Sequence, residues 1–169
     1  VQTCALPILE KLDGSMIRPI PLGDGKGWRL GTKAGITDVS AQAEVWIRNH
    51  PRYVAFVDAC VAAQRTPILE WCSRQQRIVI DYPEDRLVLL AIRDNQTGEN
   101  LPHEDLQRVG AAWDVEVVRS YEGTADSMEQ LIAETRDLRD QEGWVIVWPD
   151  LRVKIKGDEY VSIHRAKDR

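Results

Sequence analysis

Cysteine and histidine are scarce in this chain, three of each, and both are scattered. Cys4, Cys60 and Cys72 form neither a zinc pattern nor a disulfide framework, which points to a reducing, cytoplasmic setting. His50, His103 and His164 are equally dispersed, so a structural zinc site is not expected. Long apolar runs are missing too. The longest, Leu87 to Ile92, is far too short to cross a bilayer, so no membrane partner is expected. A positive charge balance is also absent: the net charge is −5. That sign excludes blanket nucleic-acid binding and confines any phosphate-binding surface to a local patch. There is no initiator Met. Val1 to Ile8 reads like translated adapter sequence rather than a protein start or a signal peptide, and is set aside as a non-native scar. A genuine edge strand is the alternative. With the scar removed, native sequence begins at about Leu9.

The whole chain is one domain's worth, 169 residues, with 43% hydrophobic and 29% charged residues, as in soluble globular proteins. Met16 to Ile20 reads as a strand ended by prolines, Gly23 to Gly27 as a turn, and Trp28 to Thr32 as the returning strand. Ala41 to Arg48 reads as a helix with Ala41, Val45 and Ile47 near one face. A second helix starts at Pro51 and buries Val54, Val57, Ala59 and Val61 in part. Strands are expected at Ile68 to Trp71, Arg77 to Ile80, Leu87 to Ile92 and Val115 to Val118. The apolar run at Leu87 fits a strand covered on both faces. Pro102 opens a short helix, and Ser127 with Gln130 caps a helix striped by Met128, Leu131, Ile132, Thr135 and Leu138. Gly143 to Trp148 and Leu151 to Ile155 read as two strands around Pro149-Asp150. Without a βαβ rhythm the class is α+β, with largely antiparallel sheets and flanking helices.

The chemistry centres on Lys11-Leu12-Asp13-Gly14-Ser15. An unperturbed lysine, with a pKa of about 10.4, is protonated at neutral pH and a poor nucleophile. Desolvation or a nearby cation frees the lone pair for covalent catalysis. On a continuing strand Asp13 would share the face of Lys11 and hold the amine. Gly14 would let backbone approach a phosphate. A solvated lysine before an Asp-Gly turn is the other reading. Downstream, Glu142 stands at the mouth of a strand. Lys154 and Lys156, two apart, would send both ammoniums to one strand face, where they suit a triphosphate. A solvated outer face is the alternative. Glu70, between Leu69 and Trp71, reads as a carboxylate at a pocket wall or as an exposed strand residue.

The order Lys11-x-Asp13-Gly14-Ser15, Glu70, the strand ending at Ile92, Glu142-Gly143, then Lys154-x-Lys156 resembles the covalent nucleotidyltransferases. These are the ATP-dependent DNA and RNA ligases and the mRNA capping enzymes. The runs Arg77-Ile78-Val79, Leu89 to Glu99 and Lys154 to His164 are most similar to the phage-type RNA ligase 1 branch. The resemblance implies the nucleotidyltransferase fold of ATP-grasp-like ligase type over 9–169. It implies that Lys11 attacks the α-phosphate of ATP, and that Lys33 is the basic residue after the following hairpin. Glu70 would face the ribose and share the divalent metal with Glu142. Lys154 and Lys156 would bind phosphates, and Leu90 and Val145 would clamp the adenine without ring stacking. Mg²⁺ is implied with ATP. The implied partners are RNA ends, a 5′-phosphate and a 3′-hydroxyl, met by a monomer, with Arg18, Lys26, Arg29, Arg74 and Arg77 as a candidate basic rim. The family's segment before the nucleophile and its C-terminal domain are missing from the resemblance, so a fragment is expected. A DNA ligase, a capping-type transferase, or an inactive nucleotide- or RNA-binding remnant are the alternatives.

Overall fold

Leu9 and Lys11 alternate with Ile8 and Glu10, the period-two pattern of a strand. That strand is β1, Ile8–Lys11, in a computed structural model that describes residues 7–23, 25–121, 127–148 and 151–167. Most of the presumed scar, with Cys4, lies outside the described residues, as do Asp24 and the Pro149-Asp150 turn. Ile8, its last residue, pairs with Ile146.

The chain divides into two units. The first takes in Val1–Asp13, Arg77–Asp81 and Val118–Arg169. Among its described residues β1, β6 (Gly143–Val147) and β7 (Arg152–Lys156) form an antiparallel sheet in that order. The outer side of β1 is closed by residues 119–121, where Glu10 N–H donates to Arg119 C=O and Tyr121 N–H to Ile8 C=O. Helix α4, Met128–Arg136, is capped by Ser127, whose hydroxyl accepts from Gln130 N–H, and buries Leu131 and Thr135 of the expected stripe. Helix α5, Asp158–Lys167, follows β7 after one glycine and buries Tyr160.

The second unit takes in Gly14–Gln76 and Tyr82–Val117. Strands β3 (Trp28–Gly31), β2 (Ser15–Pro21), β4 (Arg65–Cys72) and β5 (Arg86–Asp94) pair in that order, all antiparallel. β5 is apolar because both its faces are covered: Leu87, Val88, Leu89, Ala91 and Ile92 are all buried. Helix α2, Pro51–Ala62, packs Tyr53, Phe56, Val57 and Cys60 into this core, the spacing of one helical stripe. The four residues expected there include Val57, while Val54, Ala59 and Val61 sit half-buried on its flanks. Helix α3, His103–Trp113, starts after Pro102, with Glu104 and Asp105 in its first turn.

Three expectations are corrected. Helix α1, Asp38–Arg48, buries Ser40, Ala43, Glu44 and Ile47, while Val45 is 67% exposed. Its inward face is partly polar because Glu44 is met by Arg29, Arg48 and the Leu30 N–H. Arg77 to Ile80 is not a strand but a bend. The amides of Val79 and Ile80 bond to a carboxylate instead of a ladder. Val115 to Val118 is extended but makes only an isolated parallel bridge, Val117 to Leu89. Helix α3 crowds it: a Cβ on Gly110 would lie 2.2 Å from Val117 Cγ2.

Candidate active site

Strand β6 sits between β1 and β7, so its first residue, Gly143, has Lys11 opposite it on one side and Lys156 on the other. Paired residues share a sheet face. Leu9, Lys11, Gly143, Val145, Lys154 and Lys156 therefore fall on one face of the first unit's sheet. Gly143 is required there. Its φ is +148°, and a Cβ would lie 1.9 Å from the Ile155 carbonyl oxygen. With no side chain at Gly143, the two lysines across it converge on the residue before it.

That residue is Glu142, 3% exposed. Its Oε1 lies 2.7 Å from Lys11 Nζ and 3.0 Å from Lys156 Nζ. A buried carboxylate would be costly alone, and two ammoniums on one oxygen offset that cost. Lys156 Nζ also stands 5.1 Å from the Tyr160 ring centroid. Lys154, the next lysine on this face, is exposed and has no ion-pair partner among the described residues.

Asp13 is placed differently from the expectation. Strand β1 ends at Lys11, so alternation does not carry to Asp13. Its carboxylate is buried and anchors a turn. Oδ2 accepts from the N–H groups of Val79 at 2.7 Å and Ile80 at 2.6 Å, and Oδ1 accepts from Tyr160 Oη at 2.8 Å. Burial pushes the Tyr160 phenol well above its ordinary value, and the bond to Asp13 adds to the shift. It remains a protonated donor at any working pH.

In the second unit Gly14 has a packing role, since a Cβ there would lie 2.4 Å from the Trp71 carbonyl oxygen. Glu70 is buried on β4, opposite Met16 and Val88. Lys33 is exposed in a tight turn closed by reciprocal bonds between Thr32 and Gly35. Leu90 is half-buried on β5. Of the expected rim, Arg29 is committed to Glu44 and Arg77 to Asp81 and the Val79 carbonyl.

The structure thus brings together Lys11, Glu142 and Lys156, with Lys154 and Val145 on the same face. Sequence reasoning missed Tyr160 and the Val79 and Ile80 amides as parts of this cluster. Gly157-Asp158-Glu159, a helix-start pattern, was the available signal for the first. Among the described residues no three His, Cys, Asp or Glu side chains form a ready metal site. A cleft of about 330 Å³, lined by Glu10, Arg119, Ser120, Gln141 and Trp144, contains none of the expected site residues.

A family model described as RNA ligase matches residues 2–160. This chain belongs to the RNA ligase family. A Thermovibrio ammonificans protein named "Putative RNA ligase" is 30% identical over 167 residues, covering 93% of this chain and 42% of that protein. Among solved structures, a Naegleria gruberi RNA ligase variant with ATP and Mn is similar with a TM-score of 0.71 at 16% identity, covering 97% of this chain and 52% of the other. An archaeal ATP-dependent RNA ligase gives 0.66 at 18% identity, covering 92% and 43%. These likenesses show that the α+β fold is that of RNA ligase nucleotidyltransferase domains. The chain spans about half the length of the ligases it matches. No described helix is long and apolar enough to cross a membrane.

Proposed function

We propose that residues 9–169 are the adenylyltransferase core of an ATP-dependent RNA ligase, with Lys11 as the residue that carries AMP. The observation that supports this most is the row Lys11, Gly143, Lys156, with both ammoniums on Glu142 Oε1. An ammonium must lose a proton, here to solvent, before it can attack, and Glu142 Oε1, 2.7 Å away, holds the Lys11 nitrogen in place. Lys11 Nζ then attacks the α-phosphorus of ATP. A phosphorus–nitrogen bond forms, the bond to the bridging oxygen breaks, and pyrophosphate leaves. Lys154 and Lys156 hold the phosphates and stabilise charge on the reacting phosphorus and its leaving group. An RNA 5′-phosphate oxygen then attacks the AMP phosphorus, a phosphoanhydride forms, the phosphorus–nitrogen bond breaks and Lys11 is reprotonated; an RNA 3′-hydroxyl gives up its proton and attacks the 5′-phosphate, a phosphodiester forms and AMP leaves.

Glu142 suits Mg²⁺ as a hard oxygen donor beside phosphates that would supply further ligands, with water completing the shell. Bound there, Mg²⁺ would neutralise phosphate charge. Glu70, Lys33 and Leu90 enter this reading by resemblance alone, as ribose and metal, phosphate, and adenine contacts. Val145 enters as an adenine contact with the added support of its shared face with the lysines. A monomer and a reducing cytoplasm belong to the same reading; the free, buried thiols of Cys60 and Cys72 are compatible with a reducing setting.

The test is covalent transfer of label from α-labelled ATP with Mg²⁺, followed by joining of labelled RNA ends in competition with DNA ends. Labelled protein with the label on Lys11, stable to alkali and released by acid as a phosphorus–nitrogen bond requires, supports the reading. Reversible nucleotide binding without attachment refutes it, and equal joining of RNA and DNA removes the RNA assignment.

A further inference from the structure

We propose that the cleft on the back of the first unit's sheet binds one unpaired nucleotide of an RNA strand, its base on Trp144 and its phosphate on Arg119. This deepens the reading of the chain as an RNA ligase core and rests on RNA being its substrate.

Strand alternation gives this sheet two different faces. Lys11 and Gly143 lie on one. Their neighbours Glu10 and Trp144, paired across β1 and β6, lie on the other. The cleft of about 330 Å³ opens on that second face, closed at its side by Arg119, Ser120 and Gln141. Small-molecule sites run from about 300 to 1,000 Å³, so this one has room for a single nucleotide and not for a duplex. The floor is a fixed aromatic pair. Trp144 is half-buried, and the Tyr121 ring meets it nearly at right angles with centroids 5.0 Å apart. Tyr121 is held in turn from α4: its hydroxyl bonds to Glu134 Oε2, and Gln130 Nε2 donates to Glu134 Oε1 at 3.0 Å. A perpendicular contact takes up at most one face of the indole. The ring is thus braced before any ligand arrives, which lowers the cost of ordering it on binding.

The polar groups around the pair are each half-used. Arg119 Nε donates to Glu10 Oε2 at 3.1 Å, while its terminal nitrogens have no partner among the described residues. Glu10 therefore aims the guanidinium and leaves the end of the fork that matches a phosphate. Gln141 Nε2 donates to the Gly143 carbonyl at 3.1 Å, which leaves the amide oxygen to accept from a base edge. The Ser120 hydroxyl stands beside them. Because Glu10 balances Arg119, the cleft is neutral overall. It suits a base and ribose with one phosphate at the rim, not a run of phosphates, in keeping with a chain of net charge −5. An aromatic platform, an amide and a guanidinium together are the means by which unpaired RNA bases are held, and stacking of this kind tolerates any base. A nucleotide held behind β6 anchors the strand through a part that does not react, away from the lysine face.

Photo-crosslinking and binding on the full chain test this. The probe is a short single-stranded oligouridylate that carries 4-thiouridine and a 5′-hydroxyl, so that no joining can occur. Long-wave light should attach it to Trp144 or Tyr121, located by peptide mass mapping. Trp144→Leu should weaken its binding about ten- to a hundredfold. Arg119→Ala should weaken it less, and should flatten the slope of log affinity against log salt by about 0.7, the share of one phosphate on a single strand. Both variants should take up AMP from ATP at the parent's rate, since neither residue lies on the lysine face. Attachment at neither ring, or unchanged affinity in both variants, overturns the proposal. So does a variant set in which AMP uptake falls in step with RNA binding, which would mark the two residues as structural. Uridine monophosphate bound as tightly as the strand would overturn the assignment to a strand. If Trp144→Leu fails to fold, the crosslink on the parent and the Arg119→Ala affinities still decide. A parent that takes up no AMP refutes the proposed function, while the crosslink still decides whether the cleft holds RNA.

Discussion

Each unit of this protein buries one carboxylate against two cations, but the cations differ. In the second unit Glu44 takes Arg29 Nε at 2.8 Å on both oxygens, Arg48 Nη2 at 3.0 Å and the Leu30 N–H at 3.2 Å. In the first unit Glu142 takes Lys11 and Lys156 on one oxygen. Guanidinium is a planar fork that does not deprotonate in proteins, so the arginines of the Glu44 cluster keep their charge and hold structure. Lysine can give up a proton, and its single point charge can swing from a carboxylate to a phosphate. The arithmetic of charge is the same in both places. On the proposed function, the choice of cation separates a fastening from a site where bonds can be made.

Exchanging the cation type should therefore break the first cluster. Lys11→Arg preserves the positive charge beside Glu142 but offers no neutral nitrogen to attack phosphorus. Covalent AMP attachment should be abolished, with thermal stability close to the parent's. Mass mapping of labelled protein checks this. AMP on the Lys11→Arg protein would place the attachment elsewhere, with Lys33 or Lys154 examined first.

Lys154→Ala comes next in size. Its target shares the sheet face of Lys11 but not its ion pair, so the nucleophile and Glu142 remain as they were. Charge-stabilising groups of this kind are worth roughly 3–4 kcal/mol, or about a hundred- to a thousandfold in rate. Single-turnover attachment should slow by that factor and leave a measurable trace. An unchanged rate would return Lys154 to the class of solvated surface lysines.

Glu142→Gln is smaller again and tests the two carboxylates against each other. Gln is close in shape but lacks the charge a hard cation prefers. The Mg²⁺ titration of AMP attachment should move by about ten- to a hundredfold, the range usual for support of a metal site. Glu44→Gln should leave that titration where it was. A shift in both, or in neither, would dissolve the distinction between the clusters.

Which parts were legible in the sequence follows from the same contrast. The strand starting at Gly143 and the Lys154-x-Lys156 strand were readable because strand pattern is a local property, whereas the Lys11 strand was expected to run on to Asp13 and instead spans Ile8–Lys11. Their convergence was not, because it depends on pairing register across β6 and on a positive φ at Gly143. Arg77 to Ile80 looked like a strand by composition. It bends because a carboxylate more than sixty residues earlier supplies its acceptors. The inward face of α1 was misread for a related reason: Glu44 is charged, and its burial is made tolerable by Arg29 and the Leu30 N–H from β3 together with Arg48. Helix α5 was overlooked because its apolar stripe is thin, with Tyr160 as its buried anchor.

The last prediction uses acid to titrate the structural cluster. Burial works against the charged form of Glu44, but its bonds to Arg29, Arg48 and the Leu30 N–H outweigh that and hold its carboxyl below the usual carboxylate range. A group whose folded value is depressed stabilises the fold above its unfolded value. That contribution is lost as pH falls through the folded value. The Glu44 share should therefore be complete near neutral pH and should fade only below about pH 4.5, the ordinary value for this group. Both arginines are substantially exposed, so solvent screens them and the effect should be on the order of 1 kcal/mol. Urea unfolding of the parent and of Glu44→Gln at stepped pH measures it. The difference between the two should be constant from pH 7 to about pH 5 and shrink below that. A difference that instead grows on acidification would show that Glu44 is held protonated in the fold, and that the arginines beside it do not govern its charge.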